Sequence, residues 1–334
     1  MHEALLYEKL DGNVVRCSLC PHCCTITPNA AGICGVRKNM DGTLYSLVYG
    51  KAIAEHADPI EKKPLFHVLP GSRSYSVATV GCNLTCRHCQ NSEISQMPRD
   101  RGTIMGLDRA PEDILQAAQR FDCQSLSFTY TEPTIYFEYA FDIARIAHAA
   151  GLLNTFVSNG FSSIEALEMI APYLDAANID LKAFSDDFYL KNCGARLQPI
   201  LDAIRAYKRL GIWIEITTLV IPGLNDSPEE LQQIAAFIAE TGIEIPWHVT
   251  AFYPTYRLTD RSRTPVETLV AARSIGLEAG LRYVYTGNIP GDAGENTYCY
   301  ECGELLIQRS GFQIIENTLQ NRTCPQCSAY IDGI

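Results

Sequence analysis

Between residues 75 and 290 the chain alternates two kinds of stretch and contains little else. The β-rich runs "YSVATV", "SLSFTY", "NTFVS", "AANIDL", "IWIEITTLV" and "WHVTAFY" take turns with the helix-patterned runs "PEDILQAAQRF", "TIYFEYAFDIARIAHAAG", "SIEALEMIAPYL", "QPILDAIRAYKRLG", "SPEELQQIAAFIAETG" and "PVETLVAARSIGLEAG". Strands separated by helices pair in parallel, because the helix carries the chain back to the starting edge. Pro111 and Pro228 suit a first helical turn and Ser227 suits an N-cap. Gly151, Gly211, Gly242 and Gly280 follow last turns, where left-handed backbone costs glycine little. Repeated right-handed crossovers curl a sheet, yet six units fall short of a closed eight-stranded barrel. The pattern predicts an α/β fold: a partial (β/α)6 TIM-like barrel over 71–290. A Cys-rich N-terminal segment over 1–70 precedes it, and a small four-Cys zinc-ribbon or rubredoxin-like lobe over 291–334 follows. An open doubly wound sheet is the second architecture compatible with the same alternation.

At 334 residues and 47% apolar composition, the chain can bury one large core and still carry appendages. Lys and Arg number 27 against 38 Asp and Glu, a net charge of -11, so no footprint favours nucleic acid or anionic membranes. No basic patch precedes an apolar core at the N-terminus, and no stretch approaches the roughly 20 apolar residues that span a bilayer. A cytoplasmic protein is expected. Fourteen cysteines in such a chain point to metal or redox chemistry instead of disulfides. Twelve fall into three groups: Cys17, Cys20, Cys23, Cys24 and Cys34; Cys82, Cys86 and Cys89; and Cys299, Cys302, Cys324 and Cys327. Cys123 and Cys193 stand alone and read as small buried hydrophobes.

In either architecture, function sits beyond the carboxyl ends of the strands. Those ends read "GCNLTCRHC", "TYTEPT", "SNG", "DLK", "TTLVIPGLND" and "AFYPTYR". Alternation puts Glu215 and Thr217 on the strand face opposite Ile214 and Ile216. Asp180 and Lys182 lie in the short apolar run "NIDLKAF", where burial without a partner would be costly. These residues are candidates for a site, with Tyr253 and Tyr256 better explained by packing.

Cys82, Cys86 and Cys89 have C-x3-C-x2-C spacing directly after the first of these strands. Zinc would want a fourth ligand, and His88 is the nearest, although its position between two cysteines should turn its ring away from them. Three thiolates instead hold three irons of a 4Fe-4S cube and leave the fourth open to a small molecule. At the C-terminus, two C-x2-C pairs form a closed four-thiolate set, more simply zinc than iron. Cys17, Cys20, Cys24 and Cys34 make C-x2-C-x3-C-x9-C, with Cys23 extra, and suit zinc or an auxiliary cluster; Gly32 and Gly35 flank Cys34 as turn residues would.

These residues carry a resemblance. The C-x3-C-x2-C motif after the first strand of a partial barrel resembles the radical S-adenosylmethionine (SAM) superfamily, in which SAM chelates the open iron. "TYTEPT", "SNG" and "DLK" resemble strand ends of its activating-enzyme branch, typified by the pyruvate formate-lyase activase. "CSLCPHCC", "DPIEKKPLFH", "WIEITTLVIPGLND" and the cysteine-bearing tail resemble the radical enzyme of the AmmeMemoRadiSam system across nearly the full length. The resemblance implies reductive cleavage of SAM to a 5′-deoxyadenosyl radical that abstracts hydrogen from a substrate, with a flavodoxin or ferredoxin type electron donor. It implies iron at Cys82, Cys86 and Cys89, Thr131 and Glu132 at the methionine amino end, and Asn159 in polar positioning. Asp180 and Lys182 would take the ribose or carboxylate, with Glu215 and Thr217 as further contacts. It also implies Memo and AMMECR proteins as partners. Three departures stand out: Tyr130 and Thr131 replace paired glycines, Val157 replaces an aspartate, and "PTYR" at 254–257 replaces the activase's histidine-bearing loop. The activase's peptide substrate is therefore not carried over. An activase that installs a glycyl radical is the alternative within the enzyme class, and a non-enzymatic zinc or iron-sulfur scaffold is the alternative outside it.

Overall fold

The six expected strands share one sheet with two that the pattern did not reveal. The fold is that of a computed structural model, which describes residues 1–289 and 291–334. The sheet comprises β1 (Ala54–Pro59), β2 (Arg73–Ala78), β3 (Ser125–Phe128), β4 (Leu153–Ser158), β5 (Ala176–Asp180), β6 (Trp213–Val220), β7 (Trp247–Ala251) and β8 (Val284–Gly287), in that spatial order. Strands β2 to β8 run parallel, and β1 pairs antiparallel with β2. β1 and β8 are its two edges, so the partial barrel does not close. Strand β8 lacks an alternating run long enough to read, and β1 reads as polar loop because His56 and Asp58 interrupt it.

Helices α1 (Pro111–Arg120), α2 (Phe137–Ala149), α3 (Ile164–Ile170), α4 (Gln198–Arg209), α5 (Pro228–Thr241) and α6 (Val266–Glu278) make the crossovers. The Ser227 hydroxyl accepts from the Glu230 N–H, as an N-cap should. Gly280 takes φ 93°, the left-handed exit expected of it, whereas Gly242 is extended at φ 171°, a conformation open to any residue.

Period-2 alternation divides each strand between two environments. Leu126, Phe128, Phe156, Ile179, Ile214, Ile216 and Val249 are buried in the main apolar core with the helices. Truncating one of them to alanine costs about 2–5 kcal/mol. The opposite face is polar. Ser127 bonds Ser74 at 2.6 Å and Thr155 at 2.7 Å, a hydroxyl row across β2, β3 and β4. Buried hydroxyls of this kind satisfy one another where water does not reach.

The run "DPIEKKPLFH" closes the amino-terminal mouth of the barrel. Leaving β1, it accepts a bond from Asn178 Nδ2 at the Pro64 carbonyl (2.7 Å), and the His67 ring bonds the Tyr285 hydroxyl at 2.7 Å. The last residue pins it from outside, with the Ile334 N–H donating to the His67 carbonyl at 2.9 Å. The segment drawn at 1–70 thus supplies an edge strand and a plug to the barrel, so its boundary falls inside the sheet domain. Before it, residues 1–46 form two small three-stranded sheets, and Thr297–Tyr298, Leu305–Ser310 and Gln313–Asn317 form a third at the other end. No helix among the described residues is long and apolar enough to cross a membrane.

Candidate functional site

The loop after β2 carries Cys82, Cys86 and Cys89 and is held from two sides. The Asn83 Nδ2 donates to the Phe161 carbonyl at 2.7 Å, tying the loop to the "SNG" turn after β4. Thr85 and Arg87 N–H groups donate to the Cys193 and Asn192 carbonyls at 2.8 and 2.9 Å. Those carbonyls belong to a single π-helical turn, Tyr189–Cys193, of the kind often found at functional sites. Gly194 ends it at φ 70°, and a Cβ there would collide with the Thr85 hydroxyl. The backbone around the cysteines is therefore held by contacts to two neighbouring turns.

Thiol spacing separates two kinds of metal site. At the C-terminus, all four sulfurs of Cys299, Cys302, Cys324 and Cys327 lie within 4.8 Å of one another, with Cys299 to Cys327 at 3.5 Å and Cys302 to Cys324 at 3.7 Å. Metal–sulfur bonds of about 2.3 Å give a tetrahedron with edges of about 3.8 Å, so this group is built for one ion. Cys82, Cys86 and Cys89 do not meet that spacing as a set. A cube assigns each thiolate to a different iron and needs them farther apart. The three-thiolate donor set fits a 4Fe-4S cluster, in which each thiolate takes one iron.

One expectation about a neighbouring residue needs correction. His88 turns toward Cys86, and Cys193 stands with them: one ligand atom from each of the three lies within 4.8 Å of the others. Cys193 is buried in the main core, as its reading as a small hydrophobe expects, and the π-helical turn also delivers it to the cysteine loop. Burial pushes the His88 pKa down to about 3, so its ring is neutral, and its Nδ1 has no partner. No fourth ligand among the described residues completes this trio as an ion site.

Beyond the cysteines, Asp180 and Lys182 pair across 2.6 Å at the end of β5. Burial works to lower the Lys182 pKa, but Asp180, Cys86 and Cys193 outweigh it and hold the ammonium charged. Asp180 keeps 37% of its side chain exposed, so its carboxylate stays open to a ligand. Thr217 lies beside Asp180 in register on β6, and its Oγ1 is buried without a partner. An orphaned hydroxyl beside an open carboxylate and a charged lysine is a cradle for a polar small molecule.

Other candidates are occupied. Glu132 accepts from the Thr134 N–H, the Thr134 and Ser158 hydroxyls, and the Asn159 N–H at 2.8 Å. Three of these donors share Oε1 and one takes Oε2, so Glu132 shapes the turns and keeps acceptor capacity at Oε2. Burial raises its pKa above the usual carboxylate range. Thr131 donates its hydroxyl to the Thr79 carbonyl at 2.8 Å, bracing the start of the cysteine loop. Asn159 does reach the site, placing Nδ2 3.6 Å from Cys82 Sγ. Glu215 is a clear correction. It lies near the amino end of β6, where it accepts from the Phe66 and His67 N–H groups at 3.0 and 2.8 Å and bonds the His248 ring at 2.7 Å. It anchors the plug at the mouth opposite the site. Tyr253, exposed, and Tyr256, half-buried, donate to the Asn288 carbonyl and to Asp100 at the surface, so neither packs in the core.

Comparison with known proteins gives this geometry a family. Residues 76–238 match the family described as the Radical SAM superfamily. An uncharacterized protein of Methanocaldococcus jannaschii is 46% identical over 99% of both chains. The chain belongs to the radical SAM superfamily. It is also 24% identical to the pyruvate formate-lyase-activating enzyme of Streptococcus mutans, over 51% of this chain and 66% of that one. Among solved structures, a radical SAM methyltransferase from Sphaerobacter thermophilus shares the fold, with a TM-score of 0.51 at 17% identity over 68% of this chain and 70% of that one. As a radical SAM protein the chain is an enzyme, and its chemistry is reductive cleavage of SAM at a 4Fe-4S cluster to generate a radical.

Proposed function

We propose that Cys82, Cys86 and Cys89 hold the 4Fe-4S cluster, leaving its fourth iron to SAM, and that Asn159, Asp180, Lys182 and Thr217 line the place of SAM. The observation that carries this reading is a loop of three thiols set beside an orphaned hydroxyl and an open carboxylate. Once bound and reduced, the cluster and SAM supply a 5′-deoxyadenosyl radical for hydrogen abstraction from a substrate. The chain's own residues orient and enclose. Lys182 presents a charged ammonium suited to a carboxylate, and Asp180 accepts from hydroxyl groups such as those of a ribose. Asn159 steadies the Cys82 thiolate, while Glu132 and Thr131 fix the turns that carry these groups. The Phe66–His67 plug leaves the carboxyl ends of the strands as the way in.

The C-terminal thiols we assign to zinc, as a structural ion. Their lobe braces the plug, since Arg309 donates to the Phe66 carbonyl at 3.1 Å. Fourteen free cysteines suit a reducing compartment, which supports the cytoplasm, where a flavodoxin or ferredoxin type donor would supply the electron. Memo and AMMECR proteins are the expected functional partners. A second reading, a glycyl-radical activase, is favoured by the activating enzymes that resemble half of this chain.

Anaerobically reconstituted protein with dithionite is expected to convert SAM to methionine and 5′-deoxyadenosine, and Cys86→Ala to abolish this. No turnover by the native chain would leave only the scaffold reading. A persistent protein-centred radical on a co-expressed partner would decide for the activase, and a changed product mass for modification of a small molecule or peptide.

A further inference from the structure

Five cysteines crowd the N-terminal segment, and the fold sorts four from the fifth. Cys17, Cys20, Cys24 and Cys34 line one small apolar cavity, with Arg37 and Ile135 among its other walls. Cys23 is exposed, takes φ 44°, and directs its thiol to the Cys20 carbonyl at 3.8 Å. The four lining thiols face one cavity and are not gathered as closely as the C-terminal four. Among the described residues, no three of them fall within the 4.8 Å that all four C-terminal thiols satisfy. A single tetrahedral ion would draw them to edges of about 3.8 Å. A cube, with each thiolate on its own iron, takes four thiolates without drawing them that close.

The cavity wall suits such a group. Arg37 is 1% exposed, and its Nε finds no acceptor, although its other nitrogens bond Glu138 and the Leu5 carbonyl. An unpartnered donor on a buried cation, at the wall of a thiol-lined cavity, is what an anionic iron-sulfur group would satisfy. The cavity also abuts the central loop. A Cβ on Gly81, next to Cys82, would sit 2.7 Å from Val36 Cγ1 and 3.3 Å from the Cys34 carbonyl. His22, two residues from Cys20, bonds the Asn83 carbonyl at 2.8 Å.

We propose that Cys17, Cys20, Cys24 and Cys34 bind a second 4Fe-4S cluster, packed against the central cysteine loop with one layer of residues between them. It gives the enzyme a second one-electron centre beside the first. The site stands on its own residues; only its pairing with a neighbouring cluster rests on the function proposed above.

Anaerobic reconstitution with ferrous iron and sulfide, followed by metal analysis and Mössbauer spectroscopy, tests it. The native chain should carry about eight irons, the Cys82/Cys86/Cys89→Ala variant about four, and Cys23→Ser about eight. A triple variant with no iron, or with a second zinc, overturns the proposal and leaves the central assignment standing. A folded variant with serine at all four N-terminal ligand positions should keep about four irons. If it keeps none while the triple variant keeps its share, the central assignment fails and this one survives. Should that variant not fold, the triple variant and Cys23→Ser still decide. In fully reduced native protein, the paramagnetic resonance spectrum should be broadened by spin coupling beyond the sum of the separate clusters; a plain sum overturns the adjacency.

Discussion

Asn159 holds its side-chain amide 3.6 Å from Cys82 Sγ and 2.9 Å from Asn83 Oδ1, while its backbone N–H donates to Glu132. One residue thus couples the turn after β4 to the first thiolate of the cysteine loop. Donors to cluster sulfur raise its reduction potential. Asn159→Ala should keep its iron and lower the midpoint by about 20–60 mV, the equivalent of one hydrogen bond. A redox titration followed by paramagnetic resonance would measure it, and an unchanged potential would remove Asn159 from the cluster's surroundings.

Thr217 separates a ligand role from a structural one. Its buried hydroxyl has no partner, so Thr217→Val should stabilise the free protein by about 1 kcal/mol. The same change should weaken SAM binding severalfold. Thermal melting without ligand and calorimetric titration with SAM would show the two effects in opposite directions; a loss of stability with unchanged affinity refutes the assignment.

Cys86 and Cys193 offer a direct contrast. Cys86→Ala should lose the central cluster and all SAM cleavage, whereas Cys193→Ser should retain the iron. Iron lost from Cys193→Ser but kept in Cys89→Ala would show that the close Cys86, His88 and Cys193 group is the true ligand set.

Glu215 is a stability residue with a signed pH dependence. Burial alone would raise its pKa, but the His248 bond and charge, with His67 and the Phe66 N–H, outweigh it and hold the carboxyl below its ordinary range. Its stabilisation is present above the unfolded carboxyl's pKa and is lost as pH falls through the lower folded value. Glu215→Gln should cost about 3–5 kcal/mol at neutral pH and flatten the acid limb of a denaturant-unfolding series. A variant as acid-sensitive as the native chain would mean that another carboxylate dominates.

The C-terminal lobe should carry one tetrahedral ion. Cys302→Ala is expected to release zinc and lower the melting temperature, because Arg309 and the chain end no longer brace the plug. Iron in that site, seen as a rubredoxin-like absorption in the purified protein, would refute the zinc assignment.

The strand and helix alternation was legible because burial imposes period 2 on one element and 3.6 on the other. The central cysteines were legible because a local loop brings all three to one place whatever the rest of the chain does. Glu215 was misread for a definite reason: alternation tells which face of a strand a residue occupies, not which end of the barrel it reaches. That Cys193 meets Cys86 was not legible because the two lie far apart in the chain, and only the turn ending at Gly194 joins them. Strand β1 was missed because its pairing partner, and not its own composition, makes it a strand.

Sequence alone determined the parallel architecture, the cysteine loop and the two C-x2-C pairs, since each depends on neighbours within a few residues. The tertiary structure decided which carboxylates are free and which are saturated, and that "DPIEKKPLFH" is a plug. It also decided that the four C-terminal thiols converge on one point. The reason is physical: a donor's availability and a metal's nuclearity are set by distances between segments, and chain order does not encode those distances locally.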